Sequence, residues 1–176
     1  MTNRYLLGTA LSAFAFIGIA NAQTGSGTLG VTATVAGSIN LTFVTDASGL
    51  AVTGTGTSTA SLAFGTVSMF GGSVPTNVTK TVSGTTSFSL ATPFDVKVDL
   101  ANSASTTYTL TATLAAADTV NTWLLGAVDM SAGAPHALTA AGVFGTAVPY
   151  TLKLTIPASE AAGAISNSIG FTAVGG

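Results

Sequence analysis

Apolar residues return at every second position along several stretches of the chain, the period of a strand with one face in a core. Phe94, Val96, Val98 and Leu100 share one face, with Asp95, Lys97 and Asp99 opposite. Tyr108, Leu110, Ala112 and Leu114 form a second row, backed by Thr107, Thr109, Thr111 and Thr113. The run Asn102-Ser103-Ala104-Ser105 between them reads as the connection of an antiparallel hairpin. Tyr150, Leu152, Leu154 and Ile156 alternate with Thr151, Lys153 and Thr155 until Pro157, and a last strand is expected over residues 164–174, after Gly163. Near the front, Leu29, Val31, Ala33 and Val35 alternate, Gly37-Ser38 interrupts, and Ile39, Leu41 and Phe43 resume the pattern. Strands with one apolar and one polar face belong to antiparallel sheets covered on one side. Several of them predict an all-β protein, a sandwich in preference to a barrel.

Between these rows the pattern weakens. Residues 49–61 carry Gly54-Thr-Gly56-Thr-Ser-Thr and no core residue after Val52, and residues 69–77 carry Gly71-Gly72 and Pro75, so both read as loops. Residues 115–149 hold the single Trp123, the single His136 and Gly133, Pro135, Gly142 and Gly145, which predicts short strands on long connections. There is no repeat of fixed period and no long amphipathic helix.

Charge changes the picture at the N-terminus. Arg4 is the only charge before Asp46, and it precedes an apolar run that closes on Ala20-Asn21-Ala22. A basic start, a short apolar stretch and a small-x-small site predict a secretory signal peptide over residues 1–22, cut before Gln23. The alternative, an uncut anchor, is disfavoured because the run falls short of the roughly 20 apolar residues that span a bilayer. Without the leader, Lys80, Lys97 and Lys153 face Asp46, Asp95, Asp99, Asp118, Asp129 and Glu160, a net charge of −3. That balance excludes a basic footprint for nucleic acid. The sequence has no cysteine, so an exported chain must hold together by packing and backbone pairing without disulfides.

Candidate chemistry is sparse. His136 sits beside Pro135 in a Gly/Pro-rich stretch and lacks the neighbours of a metal site; it reads as a solvated loop residue. No G-x-S-x-G elbow marks a nucleophile. Asp95 and Asp99 share a strand face with Lys97 between them, better read as a wet face than as an acid pair. Gly25-Ser26-Gly27-Thr28-Leu29-Gly30 matches a nucleotide fingerprint in letters only, since the fingerprint needs a strand before and a helix after. Asn40-Leu-Thr42 and Asn77-Val-Thr79 fit the glycosylation triplet as a Thr-rich chain will by chance. The threonine row 107–113 could face an ordered surface, but one row does not make a flat array. The expectation is a protein that is not an enzyme and takes no cofactor or metal.

The order of motifs carries a resemblance. The alternating segment through Val35 is followed by Leu62-Ala-Phe64-Gly65-Thr-Val67 and, at the end, by Ile156-Pro-Ala-Ser-Glu-Ala-Ala-Gly163-Ala-Ile165-Ser-Asn167-Ser-Ile169-Gly-Phe171. This arrangement resembles spore-coat-protein-U-like subunits, the pilins of archaic chaperone–usher pili. It departs from them in lacking the N-terminal cysteines and in placing Ile165 and Asn167 where Tyr and Asp are usual. The resemblance implies an immunoglobulin-like β-sandwich that is incomplete and finished by a neighbour's N-terminal strand. It also implies copies of itself or related subunits, a periplasmic chaperone and an outer-membrane usher as partners, and passage through the periplasm to the cell surface. In this scheme residues 23–36 are the donor strand, with Leu29, Val31, Ala33 and Val35 pointing into the acceptor, and residues 37–176 are the sandwich. Leu62, Phe64, Gly65, Gly163, Ile165 and Ile169 are the family-like positions. Two alternatives stay open: residues 28–36 as the first strand of a closed sandwich, and a monomeric exported sandwich that binds a carbohydrate or another surface.

Overall fold

The structure, a computed structural model, describes residues 28–176. The expected leader and its cleavage point lie outside the described residues. The chain divides into two units, Met1–Thr34 and Val35–Gly176. In the first, residues 28–34 form no strand and every side chain is exposed.

The second unit is all-β: β1 (Ser38–Val44), β2 (Thr79–Ser83), β3 (Ser87–Ala101), β4 (Tyr108–Leu114), β5 (Thr122–Leu125), β6 (Val128–Asp129), β7 (His136–Gly142), β8 (Ala147–Pro157) and β9 (Ile169–Gly175). One sheet runs β1-β3-β8-β5-β6, with β2 pairing β3 beyond β1, and the other runs β7-β4-β9. Every pairing is antiparallel. The alternating rows meet between the two sheets as a sandwich. Phe94, Val96 and Val98 of β3, Leu152, Leu154 and Ile156 of β8, and Tyr108, Leu110, Ala112 and Leu114 of β4 are all buried. Each buried Val, Leu, Ile or Phe contributes about 1.5–3 kcal/mol, and β-branched residues favour the strand at the same positions.

The opposite face of β3 is wet as expected, with Lys97 Nζ 2.9 Å from Asp99 and both side chains over a third exposed. Such an ion pair is worth at most about 1 kcal/mol. At Asp95, partial burial, then the neighbouring Asp46 carboxylate, push the carboxyl above the usual range.

The expected hairpin of residues 94–100 with 108–114 does not form. β3 pairs with β1, β2 and β8, whereas β4 lies in the other sheet. Alternation tells which face of a strand is buried but not which strand lies beside it. The connection turns at Asn102, whose φ of +55° is tolerated by asparagine, and carries the chain along the surface from one sheet to the other. Strand β3 also begins seven residues before the expected row, at Ser87. Pro93 sits in its middle without breaking the ladder to β8. Its carbonyl lies against Gly49, on the side where neither β1 nor β2 reaches, so the missing N–H faces the same gap. Buried Thr92 closes that gap: its Oγ1 accepts from the Leu50 amide at 2.7 Å and donates to the Asn77 carbonyl at 3.1 Å.

Two smaller expectations also change. His136 is not a loop residue but opens β7, opposite Ala112, half-buried with Nε2 shielded and unbonded. The last strand starts at Ile169 and not at 164. The Asn167 side chain replaces backbone pairing there, donating to the Ala116 carbonyl at 2.7 Å and accepting from the Ala116 amide at 3.2 Å.

Candidate functional site

A sheet edge is a row of unpaired amides and carbonyls, and most edges of this sandwich are protected. Strand β6 is two residues long, and β2 is short and carries Lys80. On β1, the Phe43 amide donates to the Thr57 carbonyl at 2.9 Å and the Phe43 carbonyl accepts from the Gly56 amide at 2.6 Å. Strand β7 meets β4 with two register shifts, the bulged geometry that spoils further pairing.

Strand β9 has none of these devices. It pairs with β4 over seven consecutive residues without a shift. The amide bonds Ala115 to Ser168 and Gly176 to Thr107 put the β4-facing groups on even-numbered positions. In an antiparallel strand the intervening residues point the other way. Ile169, Phe171, Ala173 and Gly175 therefore turn their N–H and C=O groups to an edge that no described strand pairs. On the far side of β4, Thr109 and Thr111 donate long bonds to the Val174 and Thr172 carbonyls, at 3.5 and 3.4 Å. Half of the threonine row thus serves its own sheet.

Beside the open edge lies a groove with a volume of about 1410 Å³. Its floor is Phe43, Phe88, Leu90, Phe94, Trp123 and the β8 residues Leu152, Leu154 and Ile156; its walls are residues 58–70 and 157–169. The aromatic rings are interlocked, with Phe43 edge-on to Phe171 at 5.2 Å and Phe94 edge-on to Phe171 at 6.1 Å. Among the described residues, Glu160 is the only charged one on its lining. The groove is larger than the roughly 300–1,000 Å³ of a small-molecule pocket. The inward row of β9, Ile169, Phe171 and Ala173, is only half-buried, so this part of the core is covered on one side alone. The inward face is filled at the far end of β9, where a Cβ on Gly175 would lie 2.8 Å from Ser105 Oγ and 3.3 Å from Ile39 Cδ1. The groove adjoins the other end, at Ile169 and Phe171.

The six family-like positions, drawn from two stretches a hundred residues apart, all converge here. Leu62, Phe64 and Gly65 line one wall, and Gly163, Ile165 and Ile169 the other. The four candidate donor residues stand apart from them in character: Leu29, Val31 and Val35 are 87, 82 and 70 % exposed, and Ala33 is exposed as well. The aromatic floor was not foreseen from the sequence. Extending the alternation of Phe94 backwards through Leu90 to Phe88 is the signal that would have found it.

Trp123 is set into the floor by a local clasp. Asp118 Oδ2 accepts from the indole Nε1 at 2.8 Å and from the Asn121 amide group at 3.2 Å, while Oδ1 accepts from the backbone amides of Val120 and Asn121. Partial burial alone would raise the Asp118 pKa; the hydrogen bonds, that from Trp123 foremost, outweigh it and hold the carboxyl at about 2. Because the folded-state value is depressed, this group stabilises the fold above its ordinary pKa near 4, and the contribution fades as pH falls towards 2. Asp118→Asn should therefore flatten the acid limb of stability between about pH 4 and 2. Melting curves across that range check this, and an unchanged acid limb would contradict the clasp. Among the described residues no three His, Cys, Asp or Glu side chains gather as a metal site.

No protein-family model, no curated protein and no solved structure matches the chain.

Proposed function

We propose that this chain is a structural subunit of an exported surface fibre or coat, joined to its neighbours by strand addition and performing no catalysis. The donor is residues 29–35 of a second copy, and the acceptor is the β9 edge with its adjoining groove. The observation that carries the reading is a complementary pair on one chain: an uncharged, exposed apolar row in a segment without a strand of its own, and an unprotected strand edge beside an apolar groove. Backbone pairing supplies most of the affinity in such assemblies, and pockets for alternate side chains supply the register. The seven residues of the donor equal β9 in length. The likeness to spore-coat-protein-U-like pilins agrees with this reading and adds its partners, a periplasmic chaperone to hold the edge and an outer-membrane usher to export the fibre.

Deleting residues 23–36 should give a domain that no longer polymerises. A synthetic peptide of residues 24–36 at a hundred times its Kd should then stabilise that domain by about 2.7 kcal/mol, or roughly 5–10 °C in Tm for a domain this size. Thermal melts with and without peptide test it. A Tm unmoved by millimolar peptide would refute strand addition and favour a closed monomer.

A further inference from the structure

One wall of the groove is built unlike the rest. Residues 62–69 place Leu62, Phe64, Val67 and Met69 against the core while the residues between them stay exposed. Leu62 with Phe64 and Val67 with Met69 each keep a strand's spacing of two, broken once at Gly65-Thr66, yet residues 62–74 make no backbone–backbone hydrogen bond with any described residue. The segment is tied only at its ends. Ser61 exchanges both backbone bonds with Thr53, at 2.9 and 3.0 Å, and Lys80 Nζ donates to the Gly71 carbonyl at 2.8 Å. Gly65, at φ +70°, gives it a bend that other residues resist.

We propose that this strap is the resident occupant of the acceptor groove in the free subunit, and that an incoming donor strand displaces it. The inference rests on the strand-addition reading above. Strap and donor offer the same thing, a short row of alternate apolar side chains, to the same half-covered core. They differ in what they can add. The strap has its side-chain contacts alone, whereas a donor on β9 makes those contacts and pairs with the free amides and carbonyls of Ile169, Phe171 and Ala173 as well. The exchange therefore runs towards the donor. While the strap is seated it shields the aromatic floor from water and from chance apolar partners, and it lowers the apparent donor affinity by the fraction of molecules in which it is closed.

The test uses the full chain carrying Val31→Asp, so that its own donor is silent, with the 24–36 peptide as probe and Trp123 fluorescence as readout. Phe64→Ser removes a side chain that seats the strap on the core, and the β9 edge to which the donor pairs stays intact. It should increase acrylamide quenching of Trp123 in the free subunit and make peptide binding faster and tighter, by roughly tenfold if about nine molecules in ten are closed. Gly65→Ala, which strains the bend but meets no neighbouring atom, should act in the same direction and decides the matter if Phe64→Ser does not fold. Weaker, slower or unchanged binding in the variants would show that the strap is a fixed wall, leaving strand addition intact and overturning the strap. Failure of the peptide to bind even with the native strap would overturn both.

Discussion

If the chain assembles by strand addition, Val31→Asp should leave it a folded monomer. In the free subunit Val31 is 82 % exposed, so the change lies on a wet surface and costs within about 0.5 kcal/mol of fold stability. In the assembled form the carboxylate would enter a groove whose only charged neighbour among the described residues is Glu160, of the same sign, with no described lysine or arginine on the lining to receive it. Burying an unpaired charge costs several kcal/mol, and every 1.4 kcal/mol is a factor of about ten in affinity. The expected loss is on the order of a thousandfold or more, beyond what the backbone ladder can absorb. Unheated denaturing gels of native material should show a ladder of multimers for the unchanged chain and a single band for the variant. Matching ladders would exclude residue 31 from the interface.

The second large effect is on the fold. Val98 is fully buried on β3 opposite Leu41 of β1, with Val96 beside it on the same face. Val98→Asp should cost several kcal/mol of a total near 5–15 kcal/mol, enough to leave much of the protein unfolded at room temperature. Lys97→Asp, one residue away, loses only its surface contact with Asp99 and should cost under about 1 kcal/mol. Chemical denaturation of the two variants separates them. Equal destabilisation would mean that the faces of β3 are reversed.

What could be read in the sequence was the orientation of side chains, and what could not be read was adjacency. The rows of β4 and β8 were legible because each has one apolar and one polar face and burial follows directly from that; in β1 it does not, since Thr42 is buried while Leu41 and Phe43 are half-buried and Ile39 is exposed. Their partners were not legible, since β3 and β4 carry equally good alternation and yet sit in opposite sheets. The first half of β3 was obscured by Thr92 and Pro93, whose roles depend on Leu50, Asn77 and Gly49 arriving from elsewhere in the chain. The segment with Leu29 and Val31 shows the limit most plainly. Its pattern is that of a strand, but pattern states only what a segment would bury given a partner, and residues 28–34 form no strand. The groove was half-visible: the resemblance singled out both walls, while its aromatic floor is assembled by tertiary packing from four strands.

The pairing of β3 with β8 sets the tempo of folding. Ser87 meets Pro157 and Lys97 meets Ala147, so the longest ladder in the protein closes loops of roughly 50 to 70 residues. The small sheet is similar, since Thr111 waits for Thr172. Apart from the short β2–β3 and β5–β6 hairpins, the pairings wait for distant segments to meet, which places the architecture among the slow, non-local β topologies that fold in milliseconds to seconds. A ribosome adds only about 5–20 residues per second. Strands β8 and β9, which complete the two sheets, follow every other strand in chain order, so a growing chain stays largely unfolded until both have been made.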